Sequence, residues 1–198
     1  GQSIGLEDTS CWQYVVDPHD PTRHYICYTD IGFARSEDGG VSWFSATEGM
    51  PWRNTVYQLV CDPAVPGRLY AACSTQHDIP YWRSVQGPSG HGGVCVSRDA
   101  GANWRPLKDL PEAPVTSLYL DPASPVDARM LLAGVYGHGV YRSEDGGHRW
   151  SASTTGITPA GNRQIHQILA DGAGGIYCSV LGRRPGRGAP RALPGGVF

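Results

Sequence analysis

Three octapeptides in this chain obey one rule, Ser-x-Asp-x-Gly-x-x-Trp: SEDGGVSW at 36–43, SRDAGANW at 97–104 and SEDGGHRW at 143–150. A motif that returns in phase implies a repeat architecture, in which each unit buries its apolar face only against its neighbours. The string has the chemistry of a tight hairpin. Ser36, Ser97 and Ser143, with Asp38, Asp99 and Asp145, offer oxygens that accept from nearby backbone N–H groups. Gly40, Gly101 and Gly147 supply the left-handed backbone that a reversal needs. Trp43, Trp104 and Trp150 carry a large apolar area back against the preceding strand. All twelve are expected to be structural.

A second pattern runs between the octapeptides: an apolar alternating strand, Asp-Pro, an Arg, and another apolar strand. It is read in YVVDPHDPTRHYICY from Tyr14, QLVCDPAVPGRLYAAC from Gln58 and SLYLDPASPVDARMLLAG from Ser117. Each unit therefore predicts four strands. A ends at the Asp-Pro turn, B follows the Arg, C is the apolar run before the octapeptide, and D begins with its Trp. In the last unit Asp171-Gly172 replaces Asp-Pro and keeps the turn.

The octapeptide serines lie 61 and then 46 residues apart, which fits a four-stranded blade of about 40–50 residues with one loop insertion. The expected fold is all-β: a β-propeller of four-stranded antiparallel blades at approximately 12–48, 55–108 and 115–155, with an incomplete fourth at 165–198. Closed propellers have roughly 4–8 blades, so the chain is expected to be a partial propeller whose remaining blades lie outside these residues. Residues 1–12 read as a connection into a strand A.

Composition agrees. Charged residues are 17%, net charge is −2, and 27 Gly with 16 Pro suit a chain dense in turns. That balance leaves no basic footprint for nucleic acid. No run of 18 apolar residues is present to span a membrane, and no signal peptide is visible. The cysteines at 11, 27, 61, 73, 95 and 178 show no metal-ligand spacing. They read as small apolar fillers, with a disulfide between neighbouring strands left open. No metal or cofactor is expected.

The octapeptide resembles the Asp box, or BNR repeat, of β-propellers such as sialidases, sortilin-like receptors and family 74 glycoside hydrolases. In those families it sits on the blade periphery and is structural. If Asp-Pro makes the A–B turn and the octapeptide the C–D hairpin, both lie on one rim. The B–C loops and D–A connections then share the opposite face, the candidate binding surface. That face collects Trp12, Trp52, Tyr81, Trp82 and Tyr136, planar groups that can stack on sugars, and Arg53, His77, Asp78 and His138, which can hydrogen-bond hydroxyls. The expected partner is a polysaccharide or oligosaccharide. The competing reading is that the aromatics pack loops onto the wheel.

Tyr28-Thr29-Asp30-Ile31-Gly32, followed by Phe33, Ala34 and Arg35, closely resembles the Thr-Asp-Ile-Gly-Gly-Ala-Tyr-Arg segment of the first blade of family 74 glycoside hydrolases, which cleave xyloglucan and related β-glucans. Phe33 stands where that family has its second Gly. The resemblance implies that Asp30 is the general base of an inverting reaction, in which two carboxyl groups stand roughly 6.5–9.5 Å apart. It also implies a general acid in a second propeller beyond residue 198, an inert isolated chain and an extracytoplasmic location. Asp78, beside His77, Tyr81 and Trp82, is an acidic alternative. No GxSxG elbow is present. Arg35 and Arg142 repeat before the octapeptide and so do not form a sialic-acid clamp. Arg183, Arg184, Arg187 and Arg191 form a basic concentration in a Gly/Pro-rich loop. The alternative function is a non-catalytic propeller that binds a protein or glycan, as sortilin-like receptors and assembly factors do.

Overall fold

The computed structural model describes residues 9–79, 90–157, 162–182 and 195–198. Tyr81 and Trp82, and the arginines at 183, 184, 187 and 191, lie outside the described residues. Fifteen strands are present among those described, with no helix.

The first sheet holds β1 (Cys11–Asp17), β2 (Asp20–Tyr28), β3 (Phe33–Ser36) and β4 (Phe44–Ser45). The second holds β5 (Thr55–Cys61), β6 (Leu69–Ser74), β7 (Gly92–Ser97) and β8 (Arg105–Pro106). The third holds β9 (Val115–Leu120), β10 (Leu131–Val135), β11 (Gly139–Ser143) and β12 (Ser151–Ala152). The fourth holds β13 (Ile165–Ala170), β14 (Ile176–Val180) and β15 (Gly196–Val197). Within each sheet, strands pair with their sequence neighbours, all antiparallel. This is a β-propeller, four-stranded in three of its sheets.

One side-chain device recurs along the inner strands. Gln13 Oε1 accepts the Leu59 N–H at 2.6 Å, Gln58 Oε1 accepts the Leu118 N–H at 2.8 Å, and Ser117 Oγ accepts the Ile168 N–H at 2.9 Å. The ladder slips at each of these positions, freeing backbone and side chain to reach the next sheet. Apolar residues then fill the space between sheets. Phe33, Leu69, Met50 and Trp104 pack between the first and second. Tyr70, Val96, Leu118 and Leu131 pack between the second and third. Ile165, Ile168 and Val180 join Leu132 and Val140 between the third and fourth.

The octapeptides close their hairpins as their composition dictates. Ser36 Oγ donates to Asp38 Oδ1 at 2.8 Å and accepts the Gly40 N–H at 2.9 Å, while Asp38 Oδ1 accepts the Ser42 N–H at 2.9 Å. Ser97, Asp99 and Gly101 repeat this, as do Ser143, Asp145 and Gly147. The A–B turn binds the same hairpin in each unit: Gly39 N–H to Thr22 O, Ala100 N–H to Gly67 O, Gly146 N–H to Arg129 O, at 2.7–2.9 Å. Turns and octapeptides therefore share one rim.

Strand D differs from its sequence reading. It begins one residue after the Trp, at Phe44, Arg105 and Ser151, and spans two residues each time. The Trp is diverted. Trp104 gives its backbone N–H to Glu48 O and its indole N–H to Ala46 O, both at 2.9 Å, binding the preceding sheet instead of its own. Trp43 and Trp150 turn their indole N–H back to Gly40 O and Gly147 O.

The Arg after each Asp-Pro turn also has a structural explanation. Arg23 pairs with Asp17 at 3.4 Å and Arg68 with Asp62 at 3.2 Å, each within its unit. Arg129 instead reaches back to Asp62 of the preceding sheet, with Nη2 2.7 Å from Oδ1 and Nε 2.9 Å from Oδ2. All six cysteines carry free thiols, and Cys27, Cys73, Cys95 and Cys178 are buried.

Candidate functional site

The β2–β3 turn carries Asp30 on the face opposite the octapeptides. Its backbone closes with Tyr28 N–H on Gly32 O at 2.8 Å, and Thr29 N–H on Ser10 O at 2.9 Å. Gly32 is at φ +74 with its would-be Cβ 2.4 Å from Arg53 O, so no side chain fits where the turn meets the connection into β5. Asp30 is left-handed as well, at φ 67. This is a conformation that Asp tolerates better than most residues because its short side chain is accommodated locally. The carboxylate is thus projected from a rigid turn, with about half of its surface exposed.

Asp30, Arg53, Asn54 and Thr47 line a groove of about 600 Å³. The neighbouring turn after β6 contributes His77, whose Nδ1 lies 3.7 Å from Asp30 Oδ1 and 3.1 Å from Asp78 Oδ2. One imidazole nitrogen therefore faces two carboxylates from two sheets. Tyr57 fixes the turn: its hydroxyl donates to Gln76 O at 2.8 Å and accepts the Ile79 N–H at 3.0 Å. Burial pushes the Tyr57 hydroxyl well above the ordinary tyrosine range, and the nearby charges of Asp78 and Asp30 add to this. Tyr57 is neutral at any working pH and free to both donate and accept.

The sequence-predicted residues divide in two. Asp30, His77, Asp78 and Arg53 come together. Trp12 is not in a connection but in β1, its indole N–H on Thr29 Oγ1 at 2.6 Å and its ring 4.9 Å from that of Tyr57. Trp52 is half-buried, and its ring lies over Gly93, where an added Cβ would come within 2.4 Å of it. Tyr136, expected as a sugar platform, is 0% exposed and packs with Tyr57 and Ile79. It offers no face to a ligand. His138 is half-buried at the β10–β11 turn.

Sequence reading missed Tyr57. The signal was available in the repeat: Trp12, Tyr57, Thr116 and His166 each precede the slipped position of an inner strand. All four line one axial cavity of about 170 Å³. Among the described residues no group of three or more His, Cys, Asp or Glu is placed to hold a metal.

The arrangement can do two things. An exposed carboxylate beside a groove can take a proton from a water, and the adjacent imidazole and guanidinium can hydrogen-bond hydroxyls.

Fold and face together define a β-propeller with a carboxylate-bearing loop surface. Xyloglucanases are among the proteins that it resembles. A xyloglucanase from Paenibacillus sp is 31% identical over 151 residues, 66% of this chain and 14% of that protein. An ancestral GH74 enzyme superposes with a TM-score of 0.68 over 95% of this chain and 24% of its own, at 21% identity. The GH74 xyloglucanase from Xanthomonas campestris superposes with a TM-score of 0.61 over 94% of this chain and 28% of its own, at 19% identity. No protein-family model matches. The chain resembles the propellers of these xyloglucanases and spans about a seventh of the length of its curated relative.

Proposed function

We propose that this chain supplies the general-base half of a glycoside hydrolase site acting on xyloglucan or a related β-glucan. In this reading the octapeptides are Asp boxes, and Asp30 is the base that takes a proton from the attacking water at the anomeric carbon. The general acid comes from a carboxyl group on an element outside these residues, across the roughly 6.5–9.5 Å that an inverting reaction requires. Arg53, His77 and Asp78 orient sugar hydroxyls along the groove. His138, half-buried at the β10–β11 turn, extends the surface. The observation that carries the reading is the exposed Asp30 carboxylate on the groove, in the Thr-Asp-Ile-Gly segment, together with the xyloglucanase relative.

The consumption of Trp12, Trp52 and Tyr136 in packing favours a second reading, a non-catalytic face that binds a glycan or protein. Titration of the chain with a xyloglucan oligosaccharide, followed by backbone NMR, tests the shared premise. Shifts confined to residues around Asp30, Arg53 and His77, weakened in Arg53→Ala, are expected. No shift at saturating oligosaccharide would refute binding at this face.

A further inference from the structure

On the opposite rim, the second and third sheets enclose a cleft of about 480 Å³ whose walls include Arg68, Arg98, Arg105 and Lys108. Two carboxylates, of Asp127 and Asp145, also line it. Asp145 is already engaged by the Ser143 hydroxyl and the Arg149 N–H, both at 2.9 Å. Among the described residues, Arg98, Arg105 and Lys108 have no carboxylate within 4.0 Å. Arg68 is held at the wall by Val126 O at 2.7 Å and Asp62 at 3.2 Å.

The repeat supplies an internal control. The second octapeptide position is Glu37 and Glu144 in the flanking units but Arg98 here. In those units the Glu neutralises a strand-C arginine, Arg35 or Arg142, whereas the second unit has Val96 there. The residue after the Trp is Phe44 or Ser151 in the other units and Arg105 here, and three residues further on Thr47 or Thr154 becomes Lys108. The hairpin folds without these cations twice over, so its own stability does not require them. In a chain of net charge −2, they converge on one cavity.

We propose that this cleft binds a multiply charged oxyanion on a small carbon skeleton, such as a sugar phosphate. A guanidinium group such as that of Arg98 or Arg105 suits the oxygens of a phosphate or carboxylate bidentately, and Lys108 adds a point charge. Tyr70, Pro106 and Leu107 provide apolar contact for the skeleton. The volume lies in the range of about 300–1,000 Å³ typical of ligand pockets. The site is independent of the Asp30 groove and of the hydrolase reading.

The test is calorimetric and NMR titration of the 198-residue chain with glucose 6-phosphate, inorganic phosphate and glucose. Glucose 6-phosphate is expected to shift resonances of Tyr70, Val96, Leu107 and Gly146, to bind more weakly as NaCl rises, and to lose at least tenfold in affinity in Arg98→Ala/Arg105→Ala. The exposed Arg163→Ala should bind as the parent does, and unchanged thermal unfolding confirms that the variants are folded. Equal affinity for inorganic phosphate would assign the site to the oxyanion alone, and tighter binding of the ester would give the skeleton a share. The second outcome supports the proposal, and the first overturns its carbon-skeleton part. Binding of neither phosphate, binding of glucose as tightly as its phosphate, or equal loss in Arg163→Ala would overturn it.

Discussion

Arg129 is the largest fully buried side chain described, 1% exposed, and Asp62 beneath it is 0% exposed. The guanidinium grips both carboxylate oxygens and donates to the Pro122 and Ser124 carbonyls. Burial alone would raise the Asp62 carboxyl. The Arg129 hydrogen bonds, the Ala64 N–H and the charges of Arg129 and Arg68 outweigh it and hold the group below the ordinary carboxylate range. Removing one partner of such a pair leaves an uncompensated buried charge, at about 3–5 kcal/mol. Arg68 remains beside Asp62 at 3.2 Å, which places Arg129→Met at the lower end, about 3 kcal/mol. For a domain of this size each kcal/mol is worth roughly 2–4 °C, so Tm should fall by about 6–12 °C. Replacing both charges, in Asp62→Leu/Arg129→Met, should recover at least half of the loss, because apolar groups remove the orphaned charge with its partner. Thermal and urea unfolding, monitored by tryptophan fluorescence, gives both numbers. A loss below about 1 kcal/mol in the single variant, or a double variant no better than the sum of its singles, would refute the reasoning.

Gly49, at φ +81, places a would-be Cβ 2.1 Å from the Trp104 carbonyl; Gly49→Ala should cost about 2–4 kcal/mol through clash and strain. Gly39→Ala, at φ +73 with open space around it, should cost only about 1 kcal/mol, and Ala100 already occupies the equivalent position at φ 57. Urea unfolding ranks the two. Trp104→Ala removes a ring packed edge-on to Phe33 at 5.2 Å and should cost about 3–5 kcal/mol, read by the same assay. Hydrogen bonds from the Ser42 hydroxyl and N–H, then from Ser36, hold Asp38 down to about 2. Asp99 and Asp145 are also lowered, their hydrogen bonds from Asn103 and from the Arg149 N–H prevailing over burial. Carboxyls lowered in the folded state stabilise it fully above their unfolded values near 4 and lose that contribution as pH falls through the folded ones. Thermal stability should therefore drop between about pH 4 and pH 2, and a Tm that stays flat across that window would contradict the hairpin account.

The fold was legible because its punctuation is chemical. Serine and aspartate at fixed spacing close the hairpin whatever surrounds them, and Asp171-Gly172 turns the chain where Asp-Pro does elsewhere, with Asp171 Oδ1 accepting the Ala173 and Gly175 N–H groups. Direction across sheets was not legible. The local difference between Arg129, which crosses to the previous sheet, and Arg68, which pairs within its own, is the spacing from the turn aspartate, eight residues from Asp121 against six from Asp62, and that length alone gives no direction. Trp104 likewise looks like Trp43 until Phe33 and Ala46 stand beside it. Phe33, a departure from the resembling segment, is 0% exposed and lies against the would-be Cβ of Gly101 at 3.0 Å. It fills the space that the second hairpin leaves. On the candidate face, the sequence located Asp30, His77 and Asp78, whose meeting follows from two adjacent turns. It misjudged Tyr136 because burial at a turn depends on the next sheet, where Gln164 accepts its hydroxyl.

Reducing-sugar release from xyloglucan, mixed-linkage β-glucan and cellulose, measured on the longest native form of the protein beside its Asp30→Asn variant, tests the functional account most directly. The account predicts hydrolysis of at least one glucan by the parent and a fall of about 10²–10⁴-fold in the variant, the contribution of a general base. Hydrolysis indifferent to Asp30→Asn, or no release from a folded parent, would contradict it.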